Sequence, residues 1–234
     1  AGSENSDQLR GLWDVCDATI VHEPVADLPG AHYIRHGVPL AQSPHLYTAR
    51  AHYQGVEGFK QYVDQPVLGS VGFNFGWKNF DRVVQASADA GWAMVLLSNT
   101  ATAEDEARWR VMNPDLLCIR EFLPQSTAIS YLAGCDATIF AYECANNGTS
   151  GAIRQGLAAR KPLIAWANCR QFRDLQLAEG ADAIHWCAGF DDLLATLRRL
   201  PIQRVDPGIV YLAERDRWPT QAQKYLDVFR SVIQ

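Results

Sequence analysis

Apolar positions along the chain change rhythm repeatedly, and between Val67 and Leu200 the change is regular. Val67-Leu68-Gly69-Ser70-Val71-Gly72 is an apolar run of strand length, whereas Asn79 to Ala90 sets Phe80, Val83, Val84 and Ala88 at helical spacing. Ala93 to Leu97 is a second apolar strand, Thr102 to Val111 a polar helical stretch, and Leu116 to Ile119 a third strand. After Pro124 a short helix is predicted over Thr127 to Leu132 and a fourth strand over Ala137 to Ala141. A helix over Ala152 to Ala159 leads into the strand Pro162 to Trp166, and Ala183 to Cys187 followed by Phe190 to Leu200 predicts one more strand and helix. Solid apolar strands alternating with helices predict an α/β fold: a Rossmann-like parallel sheet with helices on both faces. Such a sheet binds ligands beyond the carboxyl ends of its strands.

The flanks read differently. Cys16 to His22 and Tyr33 to Pro39 are short strand-like runs, and Leu40 to Pro66 is a connector with one helical stretch. Pro207 to Ala213 and a final helix from Thr220 to Val232 close the chain, with Thr220 as the expected N-cap unless Pro219 only ends the preceding turn.

Composition narrows the class. The 234 residues are 48% hydrophobic, enough for a continuous core, and the net charge of −5 lacks the positive field of a non-specific nucleic-acid binder, so no nucleic-acid partner is expected. Six cysteines stand singly, without the CxxC pairs of zinc or dithiol redox sites, and read as reduced thiols. No apolar run reaches the roughly 18 to 20 residues that cross a bilayer, and a cytoplasmic location is expected.

Two loops carry candidate chemistry. Gly148-Thr149-Ser150-Gly151 at a helix start offers backbone N–H groups, hydroxyls and the positive end of a helix dipole, which together suit a phosphate. Its plain alternative is a capped helix after a tight turn. Gly72-Phe73-Asn74-Phe75-Gly76-Trp77-Lys78 follows the first strand of the same sheet, so Lys78 is placed to neutralise a diphosphate; a solvated lysine is the alternative. His32 and His36 flank a strand-like run, so their spacing of four is not that of a helical metal pair. Asn147-Gly148-Thr149 fits a glycosylation triplet but falls in the proposed ligand loop. Asp136 and Glu143 bracket the fourth strand as candidate acid or base, with a solvated or capping carboxylate as the commoner case.

In the order of these segments the chain resembles the second, donor-binding domain of retaining GT-B glycosyltransferases, in particular family 4. Cys16 to His22 resembles the strand that ends that family's acceptor domain, and Ile34-Arg35-His36-Gly37-Val38-Pro39 resembles its "IPNGVD" segment. Val71 to Lys78 resembles the "VGR…KG" loop, Ile119 to Pro124 "FLGFVP", and Leu132 to Ala141 "YAAADVFVLPS". Gly148 to Ile164 resembles the glycine loop, helix and "GTPVV" strand, and Trp218 to Arg230 the terminal helix that packs back across to the first domain.

The resemblance implies a glycosyltransferase that moves a hexose from a nucleoside diphosphate sugar to a hydroxyl of a sugar or lipid-linked acceptor, with retention and without a metal or other cofactor. It further implies a role in polysaccharide biosynthesis, in the cytoplasm or at the inner membrane face. Lys78 matches the lysine on the donor diphosphate, Thr149, Ser150 and Gly151 the phosphate-binding helix start, and Arg120 the place where main-chain atoms meet the base. Gly72, Phe73, Glu143, Asn147, Gly148 and Gln155 complete the expected donor site, with Lys78 and Glu143 as candidates for catalysis.

Three departures qualify this. Phe73 stands where the family has arginine. Gln155 takes the place of the glutamate that holds the donor ribose. Asn147 takes that of the first glutamate, with Glu143 a substitute if the loop is longer.

By the same resemblance, residues 1–40 are a remnant of the acceptor domain and linker, 41–204 the donor domain, and 205–234 a linker and returning helix. About 40 residues are too few for an acceptor domain of roughly 100 to 150, so the chain is expected to be part of a longer enzyme or to borrow that domain from a partner. Self-association through the uncovered terminal helix is the other expectation. A non-catalytic nucleotide-sugar-binding module, a partner-docking domain, and an epimerase are the rival readings; the last lacks a GxGxxG fingerprint.

Overall fold

A computed structural model describes residues 16–22, 30–39, 55–143, 149–202 and 205–233. Six parallel strands form the main sheet: β3 (Val67–Val71), β4 (Ala93–Leu97), β5 (Leu116–Ile119), β6 (Ala137–Phe140), β7 (Leu163–Trp166) and β8 (His185–Cys187). Their spatial order is β5-β4-β3-β6-β7-β8, so the chain winds outward in one direction from β3 and then crosses back to start the other half at β6. The neighbours β3 and β6 pair with Leu68 opposite Ala137 and Gly69 opposite Thr138. From these two strands the chain continues in opposite directions along the sheet, which opens a crevice at their carboxyl ends.

Alternation along the strands sorts side chains to two faces. Leu68, Met94 and Leu96 enter one apolar cluster, whereas Val67, Ala93, Val95 and Leu97 enter the other. Helix α1 (Phe80–Asp89) packs against α2 (Ala103–Met112) on the first face, and α3 (Gln125–Gly134), which sends Ala128 and Leu132 into the second cluster, packs against α4 (Gly151–Ala158). The sheet is covered on both sides, which is why its strands read as solid apolar runs rather than alternating ones. Thr102 caps α2 with a reciprocal pair of bonds: Asp105 N–H donates to the Thr102 hydroxyl at 3.1 Å, and Thr102 N–H to the Asp105 carboxylate at 2.9 Å.

The expected elements between Val67 and Leu200 are present with small shifts at their ends. Helix α3 runs from Gln125 to Gly134, longer than its apolar core alone suggests. The final strand is shortened to β8, because Ala181–Ala183 forms a 3-10 turn after the left-handed Gly180. A four-residue helix, α5 (Arg173–Gln176), lies before β8, and α6 (Phe190–Arg199) follows it. Helix α7 (Pro207–Arg215) starts at Asp206, whose carboxylate accepts from the N–H groups of Gly208 and Ile209. The last helix, α8 (Trp218–Ile233), begins two residues before Thr220, with Pro219 in its first turn where a missing N–H costs nothing.

The early strands are minimal. β1 (Ile20–Val21) and β2 (His32–Tyr33) pair in parallel and stand apart from the main sheet. The expected Tyr33 to Pro39 strand continues only as one bridge, where Val38 N–H donates to Asp216 O at 2.7 Å and Trp218 N–H to Val38 O at 3.0 Å. This clasp ties residues 30–39 to the last described segment. In the expected connector, the described residues include one helical stretch, 55–60.

Among the described thiols, Cys135, Cys169 and Cys187 are buried, and burial pushes the Cys135 thiol up to about 12. Cys144 lies outside the described residues.

Candidate functional site

The loops that leave β3 and β6 meet over the crevice and are bonded to each other. Asn79, in the left-handed conformation at φ 57, donates from its amide to Ala141 O at 2.9 Å. Glu143 N–H donates to Trp77 O at 2.7 Å. On the other side Asn74 reaches toward β4, its N–H donating to the Thr100 hydroxyl at 2.6 Å and its side-chain amide to Asp105 at 2.9 Å. Bonds on both flanks hold the 72–79 loop over the sheet edge.

Lys78 is folded into that loop rather than left in solvent. It is only 5% exposed, and its Nζ faces the rings of Tyr142 at 4.9 Å, Trp77 at 5.3 Å, Phe73 at 5.7 Å and Phe75 at 6.0 Å. Among the described residues no carboxylate lies within ion-pair distance of it. Burial lowers its pKa from 10.5 to about 8, because the rings offset only part of the lost hydration. A buried ammonium without a counter-ion favours the arrival of an anion.

Across the crevice stands the start of α4. Ser150 is buried at the N-cap but makes no side-chain capping bond, the first turn holds no acidic residue, and space beside Gly151 is open. The first-turn amides of α4 have no intrahelical acceptors and are free to meet a ligand. One turn further, Gln155 Oε1 is buried without a hydrogen-bond partner.

Both loops line one cleft of about 610 Å3, which brings Gly72, Phe73 and Lys78 together with Thr149, Ser150, Gly151 and Gln155. Asn99 after β4, Glu121 and Phe122 after β5, Gln125 on α3 and Gln171 after β7 complete its walls. Among the described residues that line it, Lys78 and Glu121 are the only charged ones. Tyr142 sits beneath Lys78; burial pushes its phenol well up, and the Ser150 side chain pulls partly the other way.

Other candidates fall elsewhere. Glu143 is about half exposed, pairs with Arg82 at 3.5 Å and is not among the lining residues. Arg120 pairs with Glu106 at 2.8 Å, while the residues just after it, Glu121 to Leu123, reach the cleft. Asp136 precedes β6, so it sits at the opposite end of the sheet, holding Lys60 at 2.7 Å and the Val67 N–H at 2.8 Å. Asn147 and Gly148 lie outside the described residues.

Several residues of the site, on the cleft wall or beneath Lys78, escaped the sequence reading. Asn99 stands in a polar Ser-Asn-Thr step just after an apolar strand, a signal that was there to use. Gln171 and Tyr142 carried none, because a glutamine in a loop and a tyrosine after a strand are both ordinary.

No protein-family model matches the chain, and no curated protein matches it. Solved structures do. HepE of Anabaena, in complex with UDP-glucose, superposes with a TM-score of 0.70 at 13% identity, over 99% of this chain and 68% of that one. An α,α-trehalose-phosphate synthase (UDP-forming) from Burkholderia xenovorans gives 0.61 at 13%, over 91% and 55%. S. aureus TarM, in a complex that includes UDP, gives 0.66 at 9%, over 97% and 46%. The fold is that of GT-B glycosyltransferases. The chain spans between 46% and 68% of the length of these structures.

Proposed function

We propose that the chain is the donor-binding half of a glycosyltransferase, which takes a hexose from a nucleoside diphosphate sugar and passes it to a hydroxyl of a sugar or lipid-linked acceptor. The observation that carries this is the uncompensated buried cation at Lys78, facing the same cleft as the open start of α4. Two sources of positive potential in one crevice match the two phosphates of a diphosphate. In this reading the Lys78 ammonium and the Gly151 and Ala152 amides hold the pyrophosphate as the bond to the anomeric carbon breaks, and they take up the negative charge that develops on the leaving oxygen. That charge is met by the chain's own groups, so no metal is assigned to the step.

Gln155 Oε1 is an acceptor awaiting a donor, and a ribose hydroxyl supplies one. Glu121 to Leu123 line the cleft just after Arg120, the residue at which the family-4 resemblance puts the base. Retention at the anomeric carbon is the stereochemical course that this resemblance implies. Residues 41–204 act as the donor domain in this scheme, with 1–40 and 205–234 joining it to the acceptor side. Leu226, Phe229 and Ile233 form an exposed apolar stripe on α8, at 47%, 53% and 84%, that an acceptor domain or a second copy would cover. A strictly monomeric state in light scattering across a wide concentration range would remove the second copy from this scheme.

Calorimetric titration with UDP, GDP and ADP and their glucose forms tests the reading. One of them should bind, and Lys78→Ala should weaken it by about 1.5 to 3 kcal/mol, the size of a charge-assisted bond. Binding of none, or equal affinity in the variant, would remove Lys78 from a donor site. One observation favours a second reading, a binder without turnover: Glu143 is ion-paired outside the cleft, which leaves Glu121 as the only lining carboxylate. Hydrolysis or transfer of a bound donor by the full-length protein, followed by NMR of the anomeric proton, separates the two and reports the stereochemistry.

A further inference from the structure

A row of aromatic rings runs along the cleft rim. Phe73 and Phe75 stand 5.7 Å apart, Phe75 and Trp77 5.7 Å, Trp77 and Tyr142 5.3 Å, and Tyr142 and Phe172 5.2 Å. The inner end is buried: Tyr142 and Phe172 are almost fully covered. The outer end is not, for Phe73 is 46% and Phe75 48% exposed, and both line the cleft. Two neighbouring phenylalanines half in water on a mouth wall are costly to the free protein unless something covers them. They are also held in place, because Asn74 between them bonds to Thr100 and Asp105.

We infer that Phe73 and Phe75 form a stacking subsite for an uncharged pyranose ring, beside the diphosphate held by Lys78. The inference rests on the donor-site reading above. Charge selects the ring. Lys78, the one cation among the lining residues, is taken up by the diphosphate, so an acidic sugar or a phosphorylated acceptor would find no partner and would meet Glu121 instead. The remaining polar lining is the amides of Asn99, Gln125, Gln155 and Gln171 and the hydroxyls of Thr149 and Ser150, all of which can both donate to and accept from sugar hydroxyls. A pyranose has an apolar C–H face for the rings and a hydroxylated edge for the amides. It can belong to the donor or to the acceptor.

The test uses the double variants Phe73→Ala/Phe75→Ala and Phe73→Tyr/Phe75→Tyr in the full chain. UDP, GDP and ADP are titrated alone and as their glucose forms, and free glucose is added to the nucleotide-loaded protein under saturation-transfer NMR. If the donor sugar stacks, the alanine pair weakens the sugar form about three- to tenfold more than the bare diphosphate, and the tyrosine pair restores the difference. If the acceptor ring stacks, the ratio of the two donor affinities holds, and the saturation transfer to glucose disappears in the alanine pair and returns in the tyrosine pair.

The inference is overturned if neither arm changes. It is also overturned if bare diphosphate and sugar form weaken by one common factor while the saturation transfer to glucose persists, which would make the rings a cover for Lys78 only. Glucuronate that competes as well as glucose would remove the charge argument. Wild-type protein that binds no diphosphate at all shows in the first titration, and then the donor-site reading fails and this inference with it.

Discussion

The ammonium of Lys78 occupies the space into which a side chain at position 72 would have to grow: a Cβ on Gly72 would lie 2.3 Å from Nζ. Gly72 also has φ 149, a conformation that favours glycine. Gly72→Ala therefore has two separate effects. The backbone strain should lower stability by about 1 to 3 kcal/mol. The clash is relieved by moving the end of a flexible side chain, which displaces the cation from its ring cage. Thermal unfolding and diphosphate titration should thus report a modest loss of stability together with a clear loss of binding.

Lys78 itself should act against stability. Its folded pKa of about 8 lies below the ordinary 10.5, so between these values the unfolded chain holds a proton that the folded protein has released. Stability then rises with pH across that window, and below pH 8 the full penalty, on the order of 3 kcal/mol, is present. Lys78→Met should raise the unfolding free energy at pH 7 by about 1 to 3 kcal/mol, with the gain gone near pH 10.5. The same variant should lose diphosphate affinity. In the wild type, affinity should fall as pH climbs past 8, and a less stable methionine variant at pH 7 would contradict this account.

A second buried charge is paired. Arg154 Nη2 meets Asp174 Oδ2 with both side chains 1% exposed, yet Arg154 Nε, Arg154 Nη1 and Asp174 Oδ1 find no partner. Removal of one member strands the other, so Asp174→Ala should cost about 3 to 5 kcal/mol. The double change Arg154→Met/Asp174→Leu should cost far less than the sum of the single changes. A double-mutant cycle in urea measures the difference.

Gly156 gives a structural control. A Cβ there would lie 2.4 Å from Phe140 Cε2 and 2.8 Å from Phe140 Cζ, where α4 lies closest to β6. Gly156→Ala should overpack this contact and lower stability by about 1 to 3 kcal/mol. A drop in Cm with the diphosphate affinity of the remaining folded protein unchanged would separate packing from chemistry.

The sheet was legible because burial on both faces writes strands as unbroken apolar runs, as at Ala93 to Leu97, and because Thr102 and Asp105 announce a capped helix. The short elements were not. β1 and β2 have two residues each and owe their existence to pairing, and α5 arises in a loop whose sequence has no period. At the site, Gly72, Lys78 and the Ser150 turn could be placed because loops after adjacent parallel strands converge. The orientation of Glu143 could not, since its partner Arg82 is 61 positions away in sequence and on α1. The burial of Lys78 was equally hidden, for the rings that enclose it come from its own loop and from Tyr142 in the loop after β6.

The bridge between Val38 and Arg217 has a mechanical meaning. A pull that draws residues 30–39 and the last described segment apart would load this small clasp before any hydrogen bond of the six-stranded sheet. Fusing other domains at either end should therefore disturb the clasp while the crevice keeps its shape, because the bonds that join the two cleft loops lie off the line of force.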